Sequence, residues 1–297
     1  MKRPSGSAKL KLFLGAKGSE SVNEKDLGLA QHTDRQQTQL RWPQKLNVLG
    51  VGVSVTTPEE ALDAIIRAAK AGHSGCVAHL AVHSMAIARR DPAFRKMLED
   101  FFLATPDGHS VRVALNLLYG TRLRRRVSGP DLMPRLVERA AQENIGIYLL
   151  GSRPEVVKIL RRNLLAKSPR VRIVGSESCP FRPLTQAEDE AVTERINRSG
   201  AAIVFVGLGC PLQERFAWEH RNRIQTVMVC VGAAFDFIAG TVPRAPRWMQ
   251  RAGLEWFFRL AKEPRRMWRR YLVAGAVFLS GLLLQLTGLK QFPREVG

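Results

Sequence analysis

Short apolar runs separated by helix-like stretches constrain the fold of this chain more than any other feature. They fall at residues 46–53, 76–82, 145–150, 171–174, 201–206 and 226–231. Runs of this length read as strands buried on both faces, and their alternation with helices predicts a mostly parallel sheet covered by helices. The expected class is therefore α/β, with a Rossmann-like architecture. Thr57-Pro58-Glu59-Glu60 opens one helix with an N-cap residue and a proline at the first helical position. Three runs end in small residues that lead into a helix: Gly151-Ser152, Gly207-Leu208-Gly209 and Gly232-Ala233-Ala234. Ligands of open α/β sheets bind beyond the strand C-termini, where helix N-termini favour anions.

The ends of the chain differ from this middle. Residues 1–43 are basic and polar with almost no apolar periodicity, which predicts a disordered arm. Residues 44–240 carry the α/β pattern, and residues 241–297 read as a helical appendage. The formal charge of +20 points to a polyanionic partner, either nucleic acid or an anionic membrane. Its distribution favours the membrane. Nine basic residues against two acidic ones lie within residues 241–270, interleaved with Trp248, Trp256, Phe257, Phe258 and Trp268. Eighteen uncharged residues follow, from Leu272 to Leu289, a helix of about 27 Å that could span a bilayer or lie in its interface. The run Arg122-Leu123-Arg124-Arg125-Arg126 has no helix-turn-helix, zinc or RNA-recognition signature beside it, so no nucleic-acid partner is expected. Cys76, Cys179, Cys210 and Cys230 have no zinc or redox spacing and read as free thiols of a reducing compartment. The first residues lack the apolar core of a secretory leader, and no export is expected.

Several loops could carry chemistry. Thr105-Pro106-Asp107-Gly108 puts a carboxylate between an apolar run and a helix-like stretch, the composition of a turn but also a place for a general base. Gly207-Leu208-Gly209-Cys210-Pro211-Leu212-Gln213-Glu214 lacks the third glycine of a dinucleotide fingerprint. It reads either as a tight turn or as a backbone cradle for a nucleotide diphosphate. Gly232 to Asp236 and Arg244-Ala245-Pro246 are ambiguous singly.

In order, these segments with Gly129-Pro130-Asp131-Leu132, Gly253-Leu254-Glu255-Trp256 and Glu263-Pro264-Arg265-Arg266 resemble the bacterial WecG/TagA/CpsF glycosyltransferases, from about residue 46 to 271. The resemblance implies inverting transfer from a UDP-sugar to a polyprenyl-diphosphate-linked saccharide, in envelope or exopolysaccharide assembly. It places the enzyme at the cytoplasmic face of the membrane and requires no metal. It implies Asp107 as general base, a donor site including Gly151, Gly207, Gly209, Gln213 and Asp236, and Arg259, Arg266 and Arg269 on the acceptor diphosphate. A carboxylate of ordinary pKa is ionised at pH 7 and able to take the acceptor proton. Assembly as a homo-oligomer is left open. Two positions depart from the family pattern: His79-Leu80-Ala81 stands where many members have Thr-x-Asn, and Leu212 replaces a lysine. These changes imply a sugar other than N-acetylmannosamine or reduced activity, with a membrane-bound scaffold as the alternative; His79 or His83 could restore hydrogen bonds.

Overall fold

The structure, a computed structural model, describes residues 40–295 except Phe181. Most of the expected arm lies outside these residues; of its last four, Trp42 stacks 4.4 Å from the Phe102 ring and 5.1 Å from His73.

The first apolar run is not one strand but a hairpin of β1 (Lys45–Val48) and β2 (Val51–Ser54). Leu49 and Gly50 have φ values of 56° and 89° and turn the chain in two residues, the left-handed pair that matches strand twist. Asn47 Oδ1 accepts a 2.7 Å hydrogen bond from the Gly50 amide and fixes the turn. Then follow α1 (Pro58–Lys70), closed at its start by the Thr57–Glu60 capping box, and β3 (Gly75–Leu80). The run expected to continue to Val82 stops at Leu80, because Val82 begins α2 (Val82–Arg90). After α3 (Pro92–Glu99) come β4 (Leu103–Pro106), α4 (His109–Tyr119) and α5 (Gly129–Gln142). Next are β5 (Gly146–Gly151), α6 (Pro154–Lys167), β6 (Arg172–Glu177) and α7 (Gln186–Arg198). The body ends with β7 (Ile203–Gly207), α8 (Leu212–His220), β8 (Val227–Cys230) and α9 (Ala234–Ala239).

Strands β3 to β8 form one parallel sheet in the order β4-β3-β8-β7-β5-β6. Alternate residues feed two cores: Val204 and Val206 point to the face covered by α2, α3 and α8, while Ile203 and Phe205 point to the face covered by α1, α5 and α6. Both faces are dry, which is why the strands read as unbroken apolar runs. After β4 the chain crosses to β5, and β7 and β8 later fill the middle. The loops after β3 and β4 consequently face those after β5, β7 and β8 across one edge.

The appendage comprises α10 (Arg247–Arg251), α11 (Glu255–Lys262), α12 (Pro264–Trp268), a π-helical turn (Arg269–Val273) and α13 (Ala274–Leu286). Earlier elements cover one face of α13. Phe278 and Leu282 enter the core beside Leu49 and Met85. Gly281 permits close approach: a Cβ there would lie 1.8 Å from the Arg89 guanidinium and 2.2 Å from Leu49. Gln285 accepts from the Leu49 amide at 2.8 Å and donates to the Asn47 carbonyl at 2.9 Å. The opposite face, with Leu272, Leu279, Leu283 and Leu286, is exposed.

Candidate active site

A cavity of about 910 Å³ opens at the C-terminal edge of the sheet, floored by the loops after β3, β4, β5, β7 and β8 and walled by the appendage. Asp107 lies at its floor, one residue beyond β4, with its amide donating to the Leu80 carbonyl at 3.0 Å. Burial raises the Asp107 pKa to about 7; the Arg126 guanidinium opposes this rise, and the carboxylates of Glu255 and Asp131 add to it. The sequence argument assumed an ordinary carboxylate. Its surroundings instead tune it to neutral pH, where a general base combines ionisation with driving force.

Arg126 also ties the appendage to the body. It donates to Glu255 on α11 and lies 3.8 Å from Asp131, while Arg244 reaches Asp131 at 2.7 Å and Glu255 at 3.5 Å. The charges alternate in sign, and Asp131 is further held by the Ser128 hydroxyl at 2.7 Å. Two chain segments more than a hundred residues apart are thus joined beside Asp107.

On the far side of the cavity, Gly207 and Gly209 line the wall with Gln213 and Asp236. Gly209 has φ +78°, and Gly207 makes room for the Phe235 ring, which a Cβ would meet at 2.6 Å. Gln213 Oε1 accepts from the Gly209 amide at 3.2 Å, and its Nε2 donates to Glu214 Oε1 at 2.9 Å. Its amide is oriented, but both ends already have partners. Burial pushes the Glu214 carboxyl above its usual range, the Gln213 amide opposing. Gly151 stands behind the cavity rather than on it: at φ +109° it packs on the Gly207 backbone, and its neighbour Ser152 lines the wall.

From the appendage, Arg259 and Arg270 line the cavity. Arg259 lies over the Phe237 ring at 5.5 Å, and its buried Nε has no hydrogen-bond partner among the described residues. Arg269 is not among the lining residues and sits over Trp268 at 5.1 Å, while the Arg266 side chain lies outside the described part of the structure. Ala81, at the start of α2, lines the cavity; Leu212, half exposed on α8, does not.

The "Glycosyl transferase WecG/TagA/CpsF family" description matches residues 46–291. The chain belongs to this family. It is also 33% identical over 184 residues to the N-acetylglucosaminyldiphosphoundecaprenol N-acetyl-beta-D-mannosaminyltransferase of Bacillus subtilis strain 168, covering 62% of this chain and 69% of the relative. This WecG/TagA/CpsF member is thus a glycosyltransferase, and its cavity sets Asp107, a glycine-lined wall and a cationic wall around one space. Sequence reasoning missed Arg126, Glu255 and Arg270 as cavity groups. Arg126 ends the basic run weighed above only for a nucleic-acid partner. Arg270 is offset from the helical phase of the preceding turn because the chain becomes π-helical at Arg269.

Proposed function

We propose that the protein transfers a sugar, with inversion, from a UDP-sugar to a saccharide carried on a polyprenyl diphosphate at the cytoplasmic face of the membrane. One observation carries this reading: Asp107, its pKa raised to about 7 by burial, shares a cavity with Arg259 and Arg270 of a membrane-type appendage. The Bacillus subtilis relative, by its name, acts on N-acetylglucosaminyl diphosphoundecaprenol, which supports an acceptor of this kind.

In this mechanism Asp107 takes the proton of the acceptor hydroxyl as its oxygen attacks the anomeric carbon. The bond from that carbon to the diphosphate oxygen breaks on the opposite face, and the electron pair leaves with UDP. Gly207, Gly209, Gln213 and Asp236 are the proposed donor wall. The acceptor diphosphate is assigned to Arg259, Arg270 and the family positions Arg266 and Arg269, while backbone N–H groups of the glycine-lined wall, rather than a metal, meet the charge that develops on the leaving UDP.

The membrane reading rests on the two faces of one helix. Residues Arg269–Leu286 are long and apolar enough to cross a bilayer. Yet α13 is fastened to the body through Phe278, Gly281 and Gln285, which leaves a single leucine face for lipid. We therefore place it in the plane of the interface, with Trp256, Phe257 and Trp268 at headgroup level beside the appendage arginines. The test is UDP release by full-length protein with vesicles carrying polyprenyl-diphosphate N-acetylglucosamine. Release that depends on both acceptor and Asp107 supports the reading; no release with any UDP-sugar favours the scaffold alternative raised by Ala81 and Leu212.

A further inference from the structure

His79 lies on β3 directly opposite Thr105 of β4, two residues before Asp107, and it lines the same cavity. Its side chain is 92% removed from solvent, being 8% exposed, and its two nitrogens have different fates. Nδ1 is 2.7 Å from the Thr105 hydroxyl, whereas Nε2 has no partner among the described residues. The tautomer follows from Thr105. That hydroxyl has one proton, and it donates to the Val127 carbonyl at 2.9 Å, with the Ala78 carbonyl a second acceptor at 3.5 Å. Carbonyls cannot return a proton, so the arrangement that satisfies every partner of the hydroxyl has His79 Nδ1 donating to its oxygen. Nε2 is then unprotonated and carries a lone pair.

The ring is held in place. Gly129 at the start of α5 abuts it, and a Cβ there would stand 3.1 Å from His79 Cδ2. Burial lowers the His79 pKa to about 4, with the Val127 carbonyl opposing, so the ring stays neutral at pH 7 and the lone pair is retained. A buried acceptor without a donor costs free energy until a ligand or water supplies one. Nearby, Ala81 brings no polar side-chain atom to the cavity.

We infer that His79 Nε2 accepts a hydrogen bond from an O–H or N–H of the transferred sugar, which makes His79 a specificity-determining residue. The inference rests on the UDP-sugar reading above. The sugar is favoured over the nucleotide because His79 sits beneath Asp107, at the reacting end, while the glycine-lined wall of Gly207 and Gly209 lies across the cavity.

The test uses full-length protein, with UDP, UDP-glucose, UDP-N-acetylglucosamine and UDP-N-acetylmannosamine measured by calorimetry. His79→Asn keeps a donor where Nδ1 meets Thr105 but removes the acceptor; His79→Gln places an amide oxygen near the Nε2 position. His79→Asn should weaken the best-bound UDP-sugar about three- to tenfold, leave UDP affinity unchanged, and be at least partly rescued by His79→Gln. In the wild-type protein, the ¹⁵N resonance of Nε2 should respond to the UDP-sugar and not to UDP. The hydroxyl and acetamido donors at the sugar's second carbon are separated by comparing the glucose and N-acetyl sugars. Equal losses for UDP and UDP-sugar, unchanged UDP-sugar affinity, or an Nε2 already protonated in the free enzyme would overturn the inference. Failure of all four nucleotides to bind wild-type protein would instead overturn the UDP-sugar reading.

Discussion

The sheet of the body buries apolar surface on both faces, whereas the last helix of the appendage buries it on one. In the body, strands such as β7 send residues alternately into two buried cores. In α13 the same kind of residue divides between a face locked onto the hairpin and α2 and a face left open at Leu279, Leu283 and Leu286. A segment can be apolar all round when one half meets protein and the other, in the proposed membrane reading, meets lipid. The cavity lies where these two regions meet, with Asp107 on one side and Arg259 and Arg270 on the other.

The strongest way to break this division is at the base. Asp107→Asn should lower turnover by roughly 10²- to 10⁴-fold while leaving UDP binding nearly intact. Retention of a tenth of wild-type turnover would remove Asp107 from the role. Wild-type kcat/KM should rise with pH through about 7 as Asp107 ionises, since its folded pKa is raised to that value. The same shift has a stability consequence of opposite sense. The unfolded carboxyl titrates near ~3.9, so the native state holds the extra proton between about pH 4 and 7 and loses stability as pH rises through that window. Asp107→Asn should therefore raise Tm at pH 8, with the gain shrinking toward pH 4.

The two faces of α13 should separate cleanly. Phe278→Ala should cost about 3–5 kcal/mol of folding stability, because it empties a buried site. The exposed pair Leu283→Glu with Leu286→Glu should barely change Tm but weaken vesicle binding about 10²-fold or more, at roughly 1.5–3 kcal/mol per lost leucine. Flotation and thermal melts on both variants decide this; a large Tm loss in the leucine variant would mean that this face is buried against protein.

Arg259→Gln and Arg270→Gln should each weaken the lipid-linked acceptor about ten- to a hundredfold, the range for hydrogen bonds to charged groups, with UDP affinity spared. Glu255→Gln probes the junction itself. Removing that carboxylate takes away a charge that raises the Asp107 pKa, so the acidic limb of the kcat/KM profile should move to lower pH, by about one unit. A limb that stays put would uncouple the appendage from the base. The smallest effect is expected at Gln213→Ala, a several-fold rise in the donor KM consistent with one neutral hydrogen bond.

The parallel sheet and the loops that surround the cavity were legible in the sequence because their causes are local. Period and length mark the strands, Thr57 and Pro58 mark a helix start, and glycines mark the sharp exits from β5 and β7. The hairpin was less visible. Leucine at φ 56° is an unusual turn residue, and its amide is held by Gln285, which lies 236 positions away. Motif resemblance singled out Asp107, Gln213 and Arg259, but the properties of these groups come from distant neighbours. The raised pKa of Asp107 reflects burial among Arg126, Asp131, Arg244 and Glu255, and no window of sequence contains that set. The covered face of α13, the exchange of Arg270 for Arg269 at the cavity and the unpaired nitrogen of His79 have the same origin. Periodicity and propensity act over a few residues and determine which elements form. Desolvation, charge pairing and hydrogen-bond satisfaction depend on what lies within a few ångströms in space, and only the packed chain decides that.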